Sequence, residues 1–573
     1  MLDACRADHM SCYGYARPTT PNIDALAARG TIFREHFAQG FGTVVSVPSY
    51  LTGRYYPTAS LGLGGWQEAC RVPPPDEILA PAIFSANGYA TTLVSAHVWI
   101  TPESRLWQNF ETQYFIKPDN PQDGYADCDS LLPPIREILA AAQDGPFFLY
   151  VHVMDTHFPH RLSAPYDKWV NKSYTSSSIV NGYHLKATGN TFSEDDQALL
   201  NALHDGSLLK ADNFVGQIVA LLQEFHHDED TLIVISADHG DALGEDGATA
   251  GHPRIITDEI MQVPLIIAGP GIPSSKRIDA ITQNVDILPT LVELSSLDTS
   301  ARFDGKSVVP LLRGEVDAVH GWATARLDTK GYEGPPVVVV RNATAKLAFS
   351  TATGEAQLWQ LPHRLGKEAE IGAAKPGDVR ALREIWEREL RPEWEAYLAL
   401  PRTQPTVPVV VSITEAAFIP ESAVFRSTGK ELSASADTDG KWVLHDGKLW
   451  SDSFQDNAPP VTAVFNLPDG KYQLAAELYS NLDYFGHPAS ALNISVDSGP
   501  ARTLVTNTPT AAYIYLDVGE VTTSGGQVQI HLDEANTSHW AYLRSFRFTP
   551  AGFISESTPS EETNERLRAL GYL

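Results

Sequence analysis

The sequence predicts an α/β domain followed by an all-β sandwich, and three observations carry that prediction. Short, fully apolar strand-like runs alternate with helical patterns through the first three hundred residues, as in a sheet covered by helices. Several of those runs end in acids and imidazoles, the place where open α/β sheets bind ligands. Beyond Pro401-Arg-Thr-Gln-Pro-Thr-Val-Pro408, a stiff proline-rich linker, the texture changes to short alternating strands separated by Pro-Asp-Gly, Ser-Gly-Pro and Ser-Gly-Gly turns.

The opening residues, Met1-Leu-Asp3, read as the end of a buried strand whose first half is missing. Thr20-Pro-Asn-Ile-Asp24-Ala-Leu-Ala is a helix start, with Thr20 or Asn22 as the cap and Pro21 in the first turn. Gln39-Gly-Phe-Gly-Thr43-Val-Val-Ser46-Val-Pro-Ser49-Tyr50-Leu-Thr-Gly-Arg54 is a glycine turn running into a short helix. A hydroxyl at such a helix start meets free N–H groups and the positive end of the dipole, which suits a nucleophile and an anionic substrate.

A helix is expected over Glu77 to Asn87, a strand at Ala90-Thr-Thr-Leu-Val-Ser, and a helix over Ser130 to Gln143. Pro146-Phe-Phe-Leu-Tyr-Val-His-Val-Met154 reads as a strand buried on both faces and ends in Asp155-Thr-His157-Phe-Pro-His160. Residues 161–195 are polar and read as a long insertion near the site. A helix from about Ser193 to His226 leads to the strand Thr231-Leu-Ile-Val-Ile-Ser-Ala-Asp238-His239-Gly-Asp241. Adjacent acid and imidazole at a strand end suit a divalent cation. A further helix is expected over Val379 to Leu390, capped by Asp378 and ended by Pro392.

Strand-end Asp3, Arg6-Ala-Asp8-His9, Tyr13-Gly-Tyr15, the Thr20-Pro-Asn-Ile segment, Leu51-Thr-Gly-Arg54 and Ser236-Ala-Asp-His-Gly together resemble the sulfatase family of the alkaline phosphatase superfamily, over about residues 1–400. The resemblance implies an alkaline-phosphatase-like sandwich: a large mixed sheet between helices, with a small antiparallel C-terminal subdomain. Domains follow as 1–320 (catalytic, its N-terminal strand truncated), 321–400 (antiparallel subdomain), 401–408 (linker), 409–550 (sandwich) and 551–573. The last resembles the family's tail and is expected to pack on the catalytic domain. The resemblance further implies Asp3, Thr43, Asp238 and His239 as metal ligands, with His157 and His252 facing the substrate.

The family's formylglycine arises from Cys or Ser at the head of C/S-x-P-x-R. Here Ser46 and Pro48 are present, but Tyr50 stands where Arg is required. Thr43 stands at the family's distance from the Thr of T-G-R, nine residues, whereas Ser46 is three closer. Gly42-Thr43-x-x-Ser46-Val-Pro also resembles the nucleophile segment of phosphoethanolamine transferases, where Thr attacks. Thr43 is therefore the expected nucleophile and Ser46 the alternative. The expected reaction is hydrolysis of a sulfate or phosphate ester through a covalent intermediate, with phosphotransferase or phosphodiesterase chemistry as the alternative. One divalent metal is implied, zinc or manganese before calcium.

Composition narrows the partners. Against 42 Lys and Arg stand 70 Asp and Glu, and 42 − 70 = −28, which disfavours nucleic acid. A small-molecule or glycan ester is the expected partner, and no run of the sequence is apolar enough to span a membrane. The four cysteines show no metal-ligand spacing and read as buried thiols before disulfides. Family and sandwich imply a periplasmic or extracellular setting. Sandwich aromatics such as Trp442, Trp450, Tyr479, Tyr484, Phe485 and Trp540 fill a core or stack sugars. A reading of another class follows: a catalytically degenerate, sulfatase-like protein that presents its sandwich to polysaccharide.

Overall fold

The computed structural model describes residues 1–55, 78–97, 109–118, 124–142, 145–176, 179–180, 183–184, 192–252, 257–327, 337–350, 356–361 and 376–392, and the strands between 409 and 550. The chain divides into two compact units, the first built mainly from Cys70–Leu398 with Met1–Ala59, the second from Ala399–Thr558. The expected tail at 551–573 and the linker at 401–408 lie outside the described residues.

Two hydrogen-bonded sheets form the centre of the first unit. One runs in the order β7 (Lys276–Gln283), β1 (Gly30–Phe37), β6 (Leu265–Ala268), β5 (Ile233–Ser236), with β1 parallel to β7 and antiparallel to β6. The other is parallel, in the order β3 (Thr112–Phe115), β2 (Ala90–Ser95), β4 (Phe147–His152). Residues 1–3 join them. Leu2 bridges Val153 in parallel and donates its N–H to Ser236 O at 2.9 Å, so Asp3 emerges beyond both β4 and β5.

The apolar periodicity dictates the layers. Phe33, Leu265, Ile267 and Ile278 bury one set of strand side chains against Ile287 and Leu294 of the helix Ile287–Leu294. Helix α1 (Pro21–Ala28) packs on β1, on β6 and on the 31-residue helix Glu194–Glu224, which a Ser193–Asp196 capping box starts. The four-stranded antiparallel meander Ala323–Leu327, Val337–Arg341, Ala345–Ser350, Ala356–Gln360 packs one face on Phe37, Phe41 and Ile281. Its other face meets Leu382, Trp386 and Leu390.

Three expectations are corrected. Strand β4 is not buried on both faces: Phe147, Phe148, Leu149 and Val151 are half-buried, because they border an apolar cavity of about 1100 Å³ shared with Ile233–Ile235. The helix expected from Val379 starts at Pro376, which places Asp378 in its first turn, and it becomes π-helical over Trp386–Leu390. Neither Thr20 nor Asn22 caps α1 through its side chain. The N–H groups of Asn22 and Ile23 donate instead to Asp212, at 3.1 and 2.8 Å, on the long helix.

The second unit has two sheets. One contains Ala417–Ile419, Val461–Asn466, Gln527–Glu534, Ala491–Val496 and Arg502–Val505; the other is built around Gly470–Ser480, Ala512–Thr523 and Leu543–Pro550. Inward residues of both, including Phe465, Ile494, Ile530, Tyr472, Phe546 and Phe548, form one core. The side chains of Trp442, Trp450, Tyr479, Tyr484, Phe485 and Trp540 lie outside the described residues.

Candidate active site

The carboxyl ends of β2, β4, β5 and residues 1–3 converge on one buried cluster, to which the helix α2 (Thr43–Thr52) adds its first residue. The local sequence explains α2. Gly40 lets the turn close, since a Cβ there would lie 2.3 Å from that of Val45. Pro48 inside the helix lacks an N–H. The hydroxyls of Ser49 and Thr52 donate to the Val45 and Pro48 carbonyls, at 3.0 and 2.6 Å, and Gly53 ends the helix at φ +68°.

Thr43 is 5% exposed, and its Oγ1 donates to Asp3 Oδ2 at 3.5 Å. Ser46 Oγ is buried with no hydrogen-bond partner among the described residues and lies on the Gly40 side, 3.2 Å from where a Cβ of Gly40 would stand. Of the two hydroxyls, Thr43 is thus the one placed on the carboxylate cluster.

Asp3, Asp238 and His239 are fully buried. His239 Nε2 stands 3.6 Å from Asp3 Oδ1 and 3.6 Å from Asp238 Oδ2, and none of these three atoms has a hydrogen bond among the described residues. The ring's Nδ1 donates to Gly240 O at 2.9 Å, which turns the Nε2 lone pair toward the two acids. Gly240 is needed for that turn: a Cβ would fall 2.0 Å from the Glu259 carbonyl oxygen. Three buried, orphaned ligand atoms of this type, two carboxylate oxygens and an imidazole nitrogen, fit a divalent cation. Burial pushes the His239 ring's pKa down, but Asp238, Asp3 and Asp241 outweigh it and raise it.

The remaining imidazoles line the same space. His252 Nδ1 lies 3.0 Å from Asp241 Oδ1, and its ring centroid is 4.3 Å from that of His239 and 5.1 Å from that of His157. His157 bonds the Phe158 carbonyl through Nδ1, and burial lowers its pKa. The turn that carries it is braced by a buried ion pair, Lys210 Nζ to Asp155 at 2.9 Å. Burial raises the Asp241 carboxyl to about 7.

All the expected positions, Asp3, Thr43, His157, Asp238, His239 and His252, therefore meet in one place. The geometry adds three that sequence reasoning did not single out: Asp241, His97 and His152. His152 Nε2 lies 2.9 Å and His97 Nε2 3.2 Å from Asp3 Oδ2. Burial alone would raise the Asp3 carboxyl, but hydrogen bonds to these two rings outweigh it and hold it well below its ordinary value. Each of the two histidines stands at the carboxyl end of a strand, β2 or β4, the address that had already drawn attention to His157. Cys5, Cys12 and Cys128 are buried free thiols, and Cys70 lies outside the described residues.

The family model Sulfatase matches residues 1–297, just over half of the chain, and the chain belongs to the sulfatase family. It is 25% identical over 341 residues to an ulvan-active sulfatase of Formosa agariphila, covering 55% of this chain and 64% of that protein. It is 24% identical to a Δ4,5-hexuronate-2-O-sulfatase of Bacteroides thetaiotaomicron, over 54% of this chain and 71% of the relative. The phosphonate monoester hydrolase of Agrobacterium radiobacter shares the fold, with a TM-score of 0.55 at 20% identity over 69% of this chain and 95% of that one.

Proposed function

We propose that this chain is a divalent-metal-dependent hydrolase of sulfate or phosphate esters with Thr43 as its nucleophile. The observation that carries the reading is the placement of Thr43 Oγ1 at a helix start, on a cluster of three orphaned ligand atoms. Asp3, Asp238 and His239 would hold the cation, with Thr43 beside them. A bound divalent cation acidifies a neighbouring hydroxyl and neutralises charge on the ester oxygens.

Thr43 Oγ1, its proton lost to solvent, attacks the tetrahedral centre from its place beside Asp3. The bond from that centre to the alcohol oxygen breaks as the threonyl ester forms. His252, oriented by Asp241, donates a proton to the departing alkoxide, and His157 faces the equatorial oxygens. Water then attacks the same centre and gives its proton to His252, now neutral; the bond to Thr43 Oγ1 breaks, Oγ1 takes up a proton from solvent and the inorganic anion leaves, and an alcohol in place of water gives transfer.

The nucleophile favours phosphorus. An unmodified threonine lacks the second hydroxyl with which a formylglycine hydrate expels sulfate, whereas a threonyl phosphate is open to in-line attack by water. Relatives named as sulfatases active on ulvan and on a hexuronate support a glycan as the carrier of the ester. The sandwich unit would supply sugar contacts in that case.

The test is turnover of p-nitrophenyl sulfate, p-nitrophenyl phosphate and a phosphodiester by the metal-loaded chain, alongside Thr43→Ala and Ser46→Ala. Turnover that survives Thr43→Ala refutes the nucleophile assignment. An aldehyde at residue 46 by intact-protein mass spectrometry restores the formylglycine mechanism. Absence of both metal and turnover, with binding to sulfated polysaccharide, supports the non-catalytic reading.

A further inference from the structure

Tyr50 lies on α2, seven residues beyond Thr43, and its hydroxyl is turned into the sheet. Its hydroxyl meets the Tyr150 hydroxyl, which lies 2.7 Å from His152 Nδ1, and His152 Nε2 lies 2.9 Å from Asp3 Oδ2. Tyr50 and Tyr150 are nearly buried and His152 and Asp3 fully so, and the two phenol rings stack at 6.2 Å. The chain of contacts joins α2, β4 and residues 1–3, three segments that meet only in the folded sheet.

The donor inventory gives this chain a direction. A buried phenol remains protonated and must donate; a carboxylate can only accept. Tyr150 therefore donates to His152 Nδ1, which makes Nε2 the N–H that donates to Asp3 Oδ2, and Tyr50 donates to Tyr150 O. With Oδ2 occupied in this way, Oδ1 is the oxygen that faces Asp238 and His239. The result is a neutral relay that orients the acid.

We infer that His152, held in one tautomer by Tyr150 and Tyr50, is the positioning residue that presents Asp3 Oδ1 to the divalent cation. The inference rests on the metal-binding reading of Asp3, Asp238 and His239 given above. Partners that orient a metal-ligating carboxylate or histidine are typically worth about 10–100-fold in metal affinity. The tyrosines act on the metal only through the imidazole, so their effects are not additive with its loss.

The experiment measures Zn²⁺ affinity of the full chain by competition with a chromophoric chelator, with circular dichroism as a check on folding. His152→Ala is expected to weaken Zn²⁺ binding by about 10–100-fold at unchanged stoichiometry. Tyr150→Phe, which removes a single oxygen, is expected to weaken it by a smaller factor. The pair Tyr150→Phe with His152→Ala binds no more weakly than His152→Ala alone. His152→Asn, which keeps an N–H donor, recovers part of the loss. Equal affinity of wild type and His152→Ala overturns the positioning role alone, as does full additivity of the double variant. A wild-type chain that takes up no Zn²⁺ overturns the metal-binding reading and this inference with it.

Discussion

Asp212 offers a test of how the long helix holds α1. Its carboxylate accepts the N–H of Ile23 at 2.8 Å and both the N–H and the side-chain amide of Asn22, at 3.1 and 2.7 Å. Burial nevertheless outweighs those bonds and raises its pKa from 3.8 to about 6. The folded state thus keeps the proton up to about pH 6, while the unfolded chain releases it near pH 4. Stability from this group is fully present below pH 4 and is lost as pH rises to 6. A shift of about two units corresponds to about 3 kcal/mol. Asn is the neutral isostere of the protonated acid. Its NH2 group, however, meets N–H donors where a carboxyl oxygen accepted, so Asp212→Asn should be less stable than wild type at pH 4, and the gap should shift in its favour by up to about 3 kcal/mol between pH 4 and pH 7. Amide hydrogen exchange of the Glu194–Glu224 helix, followed from pH 4 to 7, reads the difference without requiring two-state unfolding of a two-unit chain. A gap that is independent of pH, or that moves against the variant as pH rises, would refute the reasoning. It would mean that the helix N–H groups hold the carboxylate more strongly than burial opposes it.

The other predictions concern the site. Thr43→Ala should lower turnover by at least about 10³-fold while leaving metal content unchanged, whereas Ser46→Ala should stay within about threefold; steady-state kinetics and metal analysis check both. Gly240→Ala puts a Cβ 2.0 Å from the Glu259 carbonyl oxygen. The turn bearing His239 and Asp241 must then move, at a cost of about 1–3 kcal/mol in melting experiments and about 10²-fold in kcat/KM. Dialysis against a chelator should abolish turnover, and added Zn²⁺ or Mn²⁺ should restore it; activity that persists in the metal-free chain contradicts the ligand assignment.

Much of this protein is local in its sequence. Apolar strands that end in Asp3, in Asp155-Thr-His157 and in Asp238-His239 announce a sheet and its ligand-bearing edge, because apolar runs and their terminal residues are adjacent in the chain. The same holds for the helix start at Thr43 and for the spacing that sets it apart from Ser46. Alternation in the second unit is equally legible, since a strand's two faces are written in successive residues. What the sequence leaves open is which distant segments meet. That Asp212 rather than Thr20 or Asn22 satisfies the start of α1 depends on a helix 190 residues away. That His152 and His97 share one oxygen of Asp3, and that Tyr50 reaches them through Tyr150, depends on strand order, with separations of 149 and 100 residues. Strand order is a property of the closed sheet. No periodicity within a single segment records it, and so the tertiary structure alone decided how these side chains orient the acid at residue 3.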